Sequence, residues 1–202
     1  MLDIIVQNLE SFPVNPIVPG ADQPRQAAVL LALTREKRPE VILIRRADHL
    51  KDHPGEVAFP GGMWEEQDNS LLDTALRESH EEIALHPEGV ELIATLPTGS
   101  TRMGVKVTPY VGVINPGLEF SPDPQELDSV FSVPLDYLLN EDHLTRDVFP
   151  LAGEEYSLPC YHFAGYRIWG FTLGVLVDFL NRSCGASIQL QYPPIKTRIN
   201  RS

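Results

Sequence analysis

Gly61-Gly62-Met63-Trp64-Glu65-Glu66-Gln67-Asp68-Asn69-Ser70-Leu71-Leu72-Asp73-Thr74-Ala75-Leu76-Arg77-Glu78-Ser79-His80-Glu81-Glu82-Ile83-Ala84-Leu85 is the stretch on which the fold turns. Two glycines lead into a polar turn, and the turn leads into a helix that carries a dense block of acid. Ser70 is an N-cap, with Asp73 three residues on as a weaker relative of the capping box. Pro87 and Gly89 close the segment, so the spacing predicts a helix over 71–83. At about 100° per residue, Leu72, Ala75, Leu76 and Ile83, with Ser79 among them, form one side, the expected buried stripe. Glu78, Glu81 and Glu82 form a second patch about a quarter turn away, bordered by Arg77.

Three neighbouring carboxylates repel, by a few tenths of a kcal/mol per pair on an exposed helix and by more where water is excluded. One reading is a solvated acidic face. The other is a site for hard divalent cations, which take oxygen ligands. The carboxylates alone do not choose between these; the order of glycines, helix and Arg-Glu-x-x-Glu-Glu does.

That order resembles the Nudix box, whose pattern is G-x5-E-x7-R-E-U-x-E-E-x-G-U, with U aliphatic. Arg77, Glu78, Glu81, Glu82 and Leu85 fall in their slots. Ser79 stands in the first U slot and Ala84 in the second Gly slot. The front is one residue longer, with Asp68 in place of Glu, and the insertion leaves Asp68 without an assigned role. Upstream, Ile42-Leu43-Ile44-Arg45-Arg46-Ala47, Lys51, Gly55 and Phe59-Pro60-Gly61-Gly62 resemble the signature of the coenzyme A pyrophosphatase branch, L-L-T-x-T-[SA]-x3-R-x3-G-x3-F-P-G-G. Ile44 and Arg46 replace the two threonines, and Lys51 replaces Arg. The resemblance covers residues 27–181 and is strongest over 42–85.

The resemblance implies an α+β fold, an α/β/α sandwich with a mixed sheet between helices. It also implies divalent-metal-dependent hydrolysis of a diphosphate bond. Glu78 and Glu82 would hold Mg2+ or Mn2+, and Glu81 would be a further ligand or the base that orients water. Arg77 would fix Glu81 or a neighbouring carboxylate, and Gly61 and Gly62 would let backbone approach the substrate phosphates. In the coenzyme A branch the products are 4'-phosphopantetheine, or its acyl form, and 3',5'-ADP. The adenosine 3'-phosphate calls for basic contacts, for which Arg45, Arg46 and Lys51 are candidates. Glu81, Glu126 and His53 all stay open as the base. ADP-ribose, a dinucleotide or a nucleoside triphosphate is the alternative substrate, and a non-catalytic nucleotide-binding regulator is the alternative class. Two cysteines rule out the four-cysteine zinc module of the NADH-cleaving relatives.

Composition bounds the rest. A net charge of −12 over 202 residues argues against nucleic acid or an anionic membrane as partner, since both need a basic surface. It also means that an anionic substrate needs local cations, for which Arg102 and Lys106 join the basic residues above. Cys160 and Cys184 make neither a disulfide framework nor a zinc spacing. No apolar run has transmembrane length, and Asp3 sits where a secretory leader is basic. A cytoplasmic setting is the expectation.

Along the chain we expect one domain over 1–202. An amphipathic helix carries Leu2, Ile5, Val6, Leu9 and Phe12, and a proline-rich linker reaches 26. The core runs over 27–181, with strands over 27–34, 41–46, 91–96 and 105–114. Pro109 marks the last of these as an edge or bulge. A variable loop over 115–127, a strand over 130–133 and a short helix over 135–140 follow. Next come a hairpin over 148–163, turning at Gly153, and a helix over 171–181. The tail over 182–202, basic at Lys196, Arg198 and Arg201, is either loosely ordered or packed on a second copy in a homodimer.

Overall fold

The computed structural model describes residues 1–20, 25–151 and 154–193. Helix α1 (Leu2–Asn8) precedes strands β1 (Gln26–Thr34), β2 (Glu40–Arg46), β3 (Val57–Ala58) and β4 (Gly61–Met63). Helix α2 (Leu71–Ile83) leads to β5 (Val90–Thr95), β6 (Gly99–Ser100), β7 (Lys106–Ile114) and β8 (Leu127–Pro134). Then come α3 (Leu135–Leu139), β9 (Leu144–Leu151), β10 (Glu154–Phe163), β11 (Tyr166–Trp169) and α4 (Gly170–Ser183).

Strands β3-β2-β1-β7-β5 form one mixed sheet, with β4 added to β1, β6 to β7 and β8 to β2. Among the described residues only the β1–β7 pair is parallel, running from Gln26 opposite Lys106 to Thr34 opposite Ile114. β1 is nearly continuous in apolar residues because both of its faces are covered, as its alternation requires. Ala28, Leu30 and Ala32 join Ile42, Ile44 and Tyr110 under Leu71, Ala75 and Ile83 of α2. Leu31 and Leu33 point the other way, with Val41, Leu43 and Val111, and meet Ile5 of α1 and Leu173, Leu176 and Leu180 of α4. The mixed sheet is therefore sandwiched between helices, in agreement with the expected α+β class. Each fully buried Val, Leu or Ile side chain stabilises the fold by about 1.5–3 kcal/mol.

The proline-rich linker is tacked onto this frame. Ile17 carbonyl accepts from the Leu71 amide at the start of α2 (2.8 Å), and Asn15 carbonyl accepts from the Tyr110 hydroxyl (3.0 Å).

Three features differ from the expectations. β7 is interior, between β1 and β5, and Pro109 neither breaks it nor makes it an edge. Pro109 falls between Val107, paired with β6, and Tyr110, paired with β5, so its missing N–H coincides with a change of neighbour. The bulge lies instead in β5, between Leu92 and Ala94. The hairpin starts earlier than 148 and gains β11, making a second, three-stranded sheet. Gly153 and the basic residues of the tail lie outside the described residues. Among the described residues, no helix is long and apolar enough to cross a membrane.

Candidate active site

Helix α2 has the boundaries its sequence predicts. Ser70 Oγ accepts from the Asp73 amide at 3.2 Å. At the other end Ala84 turns left-handed (φ 57°, ψ 30°), and the Leu85 amide reaches back to Ser79 carbonyl at 3.3 Å. This αL closure is the reason the family pattern has glycine at that slot.

The buried face is rotated from the one the wheel suggests. Leu71, Thr74, Ala75, Ser79, Glu82 and Ile83 are buried, while Leu72 and Leu76 are half-buried. The acid patch is therefore split. Glu82 is 3% exposed, the Glu78 side chain 16% and the Glu81 side chain 56%. Apolarity alone could not have revealed this, because the partner that draws Glu82 inward is a backbone amide. Gly61 N–H donates to Glu82 Oε2 at 2.9 Å.

The glycines belong to β4 rather than to a free loop. Gly61 pairs with Val29 and Gly62 with Ala28 of β1. Gly61 has φ +148°, and a Cβ there would lie 2.6 Å from Val29 Cα, so only glycine fits. A Cβ on Gly62 would lie 2.6 Å from Glu78 Oε2 and nearer still to its Cδ. The space the second glycine leaves holds the Glu78 carboxylate. Upstream, Phe59 is anchored in the core, and Pro60 carbonyl accepts from the Leu30 amide at 2.8 Å. The Phe-Pro-Gly-Gly run thus fixes the backbone that lies against Glu78 and Glu82.

Arg77 ties the acids together. It donates to Asp68 through Nε (2.9 Å) and Nη2 (3.1 Å), to Glu81 through Nη1 (2.9 Å) and to Met63 carbonyl (3.3 Å). It also pairs with Glu78 at 3.0 Å. Asp68, to which the sequence assigns no role, is the buried anchor of this guanidinium. It also accepts from Thr74 Oγ1 (2.8 Å) and the Glu65 amide (3.1 Å). Burial works against its charge, but the bonds from Arg77, Thr74 and Glu65 prevail and hold its pKa below the usual range. The longer turn hides Asp68 from a strict motif match. Its signal is an acid before an arginine that needs a partner.

The loop over 115–126 is fastened to the end of α2. The Ser121 amide donates to Ile83 carbonyl (3.2 Å), the Asp123 amide to Glu82 carbonyl (2.9 Å), and the Ala47 amide to Glu126 carbonyl (2.9 Å). The charge of Glu126 is felt at both Glu78 and Glu82. On β2, alternation puts Arg46 with Ile42 and Ile44 on the α2 face, where it tempers Glu82. Arg46 Nε is buried with no hydrogen-bond partner among the described residues. Arg45 turns the other way and is held by Asp48 (2.7 Å) and Asp128 (2.8 Å). Lys51 is exposed in the β2–β3 turn, and His53 in the same turn pairs with Glu56 at 2.7 Å.

Burial pushes Glu82 up to about 8, against the Gly61 hydrogen bond, with Glu78 and Glu126 adding to the rise. Burial also raises Glu78, although Arg77 opposes it. A cluster of carboxylates held at this cost and backed by fixed backbone fits a hard divalent cation. The donors are all oxygen, and the residues that would hold it are Glu78 and Glu82; Glu81 or Glu126 would have to move closer to join them, since these acids do not form a trio within 4.8 Å.

A NUDIX domain model matches residues 24–151. An uncharacterised Nudix hydrolase, NudL, of Enterobacter sp. (strain 638) is 40% identical over 152 residues, 75% of this chain and 79% of that protein. NudL of Escherichia coli O7:K1 is 39% identical over 156 residues, with the same shares covered. Among solved structures, a MutT/nudix family protein from Enterococcus faecalis has a TM-score of 0.55 at 18% identity, over 83% of this chain and 65% of that one. A Deinococcus radiodurans protein has a TM-score of 0.52 at 13% identity, over 83% of this chain and 96% of that one.

Proposed function

The chain belongs to the Nudix hydrolase family, enzymes that act on nucleoside diphosphate derivatives with divalent metals, and on that footing we propose that it cleaves coenzyme A or an acyl-coenzyme A. The products are 3',5'-ADP and 4'-phosphopantetheine or its acyl form. The observation that carries this reading is Arg46 Nε, buried and unpartnered within electrostatic reach of the Glu82 carboxylate, on the block that resembles the coenzyme A signature. A donor stripped of water costs about 1–3 kcal/mol until an acceptor arrives, and a phosphate oxygen supplies one.

Held by Glu78 and Glu82, Mg2+ or Mn2+ would offset the charge of the diphosphate and of the carboxylates and would lower the pKa of water. The chain supplies position. Asp68 holds Arg77, and Arg77 holds Glu78 and Glu81. The Gly61 amide fixes Glu82. Glu81, the most exposed of the three, takes the proton of an attacking water. The water oxygen bonds to one phosphorus, the bridging P–O bond breaks, and the leaving phosphate oxygen carries away the electron pair. Arg46 and Lys51 receive the substrate phosphates, including the 3'-phosphate. Arg45 reaches substrate only by releasing Asp48 or Asp128. One domain, with its core over 27–181, carries this activity. The two free thiols suit a reducing cytoplasm.

The test is a panel of coenzyme A, dephospho-coenzyme A, ADP-ribose, a diadenosine polyphosphate and a nucleoside triphosphate, each with Mg2+ or Mn2+. Coenzyme A should have the highest kcat/KM, and Arg46→Gln should raise its KM more than that of dephospho-coenzyme A. A preference of tenfold or more for ADP-ribose or a dinucleotide would discard the coenzyme A assignment.

A further inference from the structure

The three-stranded sheet carries a second group of donor atoms that the hydrolytic site does not use. Tyr161 and Ile168 face the main core. The other face carries Phe149, Leu158 and Cys160, with Trp169 packed beside them. Leu158 pairs with Asp147 and Cys160 with Thr145, and residues opposite one another share a face. His162, two residues beyond Cys160, is on that face too. The topology thus brings one carboxylate, one thiol and one imidazole together.

Their donor atoms all lie within 4.8 Å of one another, the one such trio of acid, thiol and imidazole groups among the described residues. His162 Nε2 is 3.0 Å from Asp147 Oδ2 and 3.5 Å from Cys160 Sγ. A single ring nitrogen faces both. Protonated, it donates to the carboxylate and has nothing with which to accept the thiol proton. Unprotonated, it accepts from the thiol and turns a lone pair toward the carboxylate. With the ring nitrogen protonated, the thiol proton goes to Asp147 as well, so both polar hydrogens converge on one carboxylate; one cation between the three atoms would take the place of both.

We propose that Asp147, Cys160 and His162 form a second metal site, for a borderline transition-metal ion of the Zn2+ class, on the outer face of the β9–β10–β11 sheet. Thiolate and imidazole ligands select such an ion over Mg2+. Tetrahedral bonds of about 2.0–2.3 Å place ligand atoms roughly 3.3–3.8 Å apart, so the trio needs sub-ångström shifts. Thr145 Oγ1, 3.6 Å from Sγ, or a water takes the fourth position. Cys160 is fully buried while the His162 side chain is 50% exposed, which leaves an entry side. Arg167 competes for Asp147 at 3.5 Å, but its guanidinium also lies over the Phe149 ring at 4.5 Å. A thiolate and a carboxylate together neutralise a divalent ion, and the bound ion cross-links β9 to β10.

Cobalt titration of the full chain in excess Mg2+, which occupies the carboxylate site, tests this. Thiolate-to-cobalt charge transfer in the near ultraviolet, with visible bands of a tetrahedral ion, should saturate at one equivalent and vanish when Zn2+ is added. Cys160→Ser should abolish the bands. His162→Ala should weaken cobalt affinity at least about 10-fold, while its hydrolysis of diphosphates, measured as a check on folding, stays at the wild-type rate. Cys184→Ser should leave the bands intact. Absence of the bands in the wild type, or their survival in Cys160→Ser, would overturn the site. Cobalt affinity unchanged in His162→Ala would also overturn it, by revealing a simple thiolate adduct. None of these results depends on which diphosphate is cleaved.

Discussion

Replacing Gly62 by alanine probes the site with one methyl group. The backbone of Gly62 lies outside the left-handed region, so alanine adopts it. The new Cβ would meet Glu78 Oε2 at 2.6 Å, and ordinary contact begins at 3.4 Å, so the carboxylate must retreat by about 0.8 Å or more. The Glu78 side chain is flexible and can move without unfolding the protein. Moving it disturbs its contact with Arg77 (3.0 Å) and its charge interaction with Glu82. Misplacement of about 1 Å in a catalytic constellation costs on the order of 10²-fold in rate, or about 2.7 kcal/mol of barrier. Gly62→Ala should therefore melt within a few degrees of the wild type while kcat on the best diphosphate substrate, with saturating Mg2+, falls about 10²-fold. Gly61→Ala is the contrast. Its Cβ meets Val29 backbone at φ +148°, so stability should fall by about 1–3 kcal/mol from the backbone strain alone. A folded Gly62→Ala enzyme with kcat within about threefold of the wild type would refute the assignment of Glu78 to the reacting centre.

Three further outcomes are expected. Ala84→Gly should stabilise the protein by about 1 kcal/mol, roughly 2–4 °C in Tm, because an exposed alanine holds a φ of 57°; an unchanged Tm would mean the turn is less strained than its φ implies. Glu82, raised to about 8, keeps its proton in the fold where the unfolded chain loses it near 4.5. Metal-free stability should therefore drop as pH rises from about 5 to 8, and Glu82→Gln should flatten that slope in thermal melts. Added Mg2+ should raise the wild-type Tm at pH 8 more than that of the variant. Asp68→Asn leaves Arg77 without its buried anion and should cost about 3 kcal/mol at pH 7 by denaturant unfolding. The Asp68 pKa is depressed in the fold, so its contribution is present above about pH 4 and lost as pH falls further. The gap between the two proteins should close in acid.

Much of this was legible in the chain. The ends of α2 follow from Ser70 and the breakers after Ile83, which act within one or two turns. The buried course of β1 follows from a run of apolar residues too long for a one-sided strand. The acidic block, read with the glycines before it, points to the family and to the proposed site, which suits a hard cation. The second sheet was harder to read, because β11 is short and gains its identity only from β10 beside it. Pro109 is no sign of an edge here, because the preference depends on which strand stands beside it, and the neighbour changes from β6 to β5 at that point.

What the sequence determined by itself is the local chemistry: where helices begin and end, which strands are covered on both faces, and which residues are acids in a row. Only the tertiary structure decided where each acid sits and what it touches. Glu82 is drawn inside by an amide from β4, Glu78 occupies the space of an absent Cβ, and Glu81 stays at the surface. Asp68 holds the arginine, and Asp147 meets a thiol and an imidazole from the next strand. Burial and partner geometry set the charge state and reach of a carboxylate, and both come from elements distant in sequence.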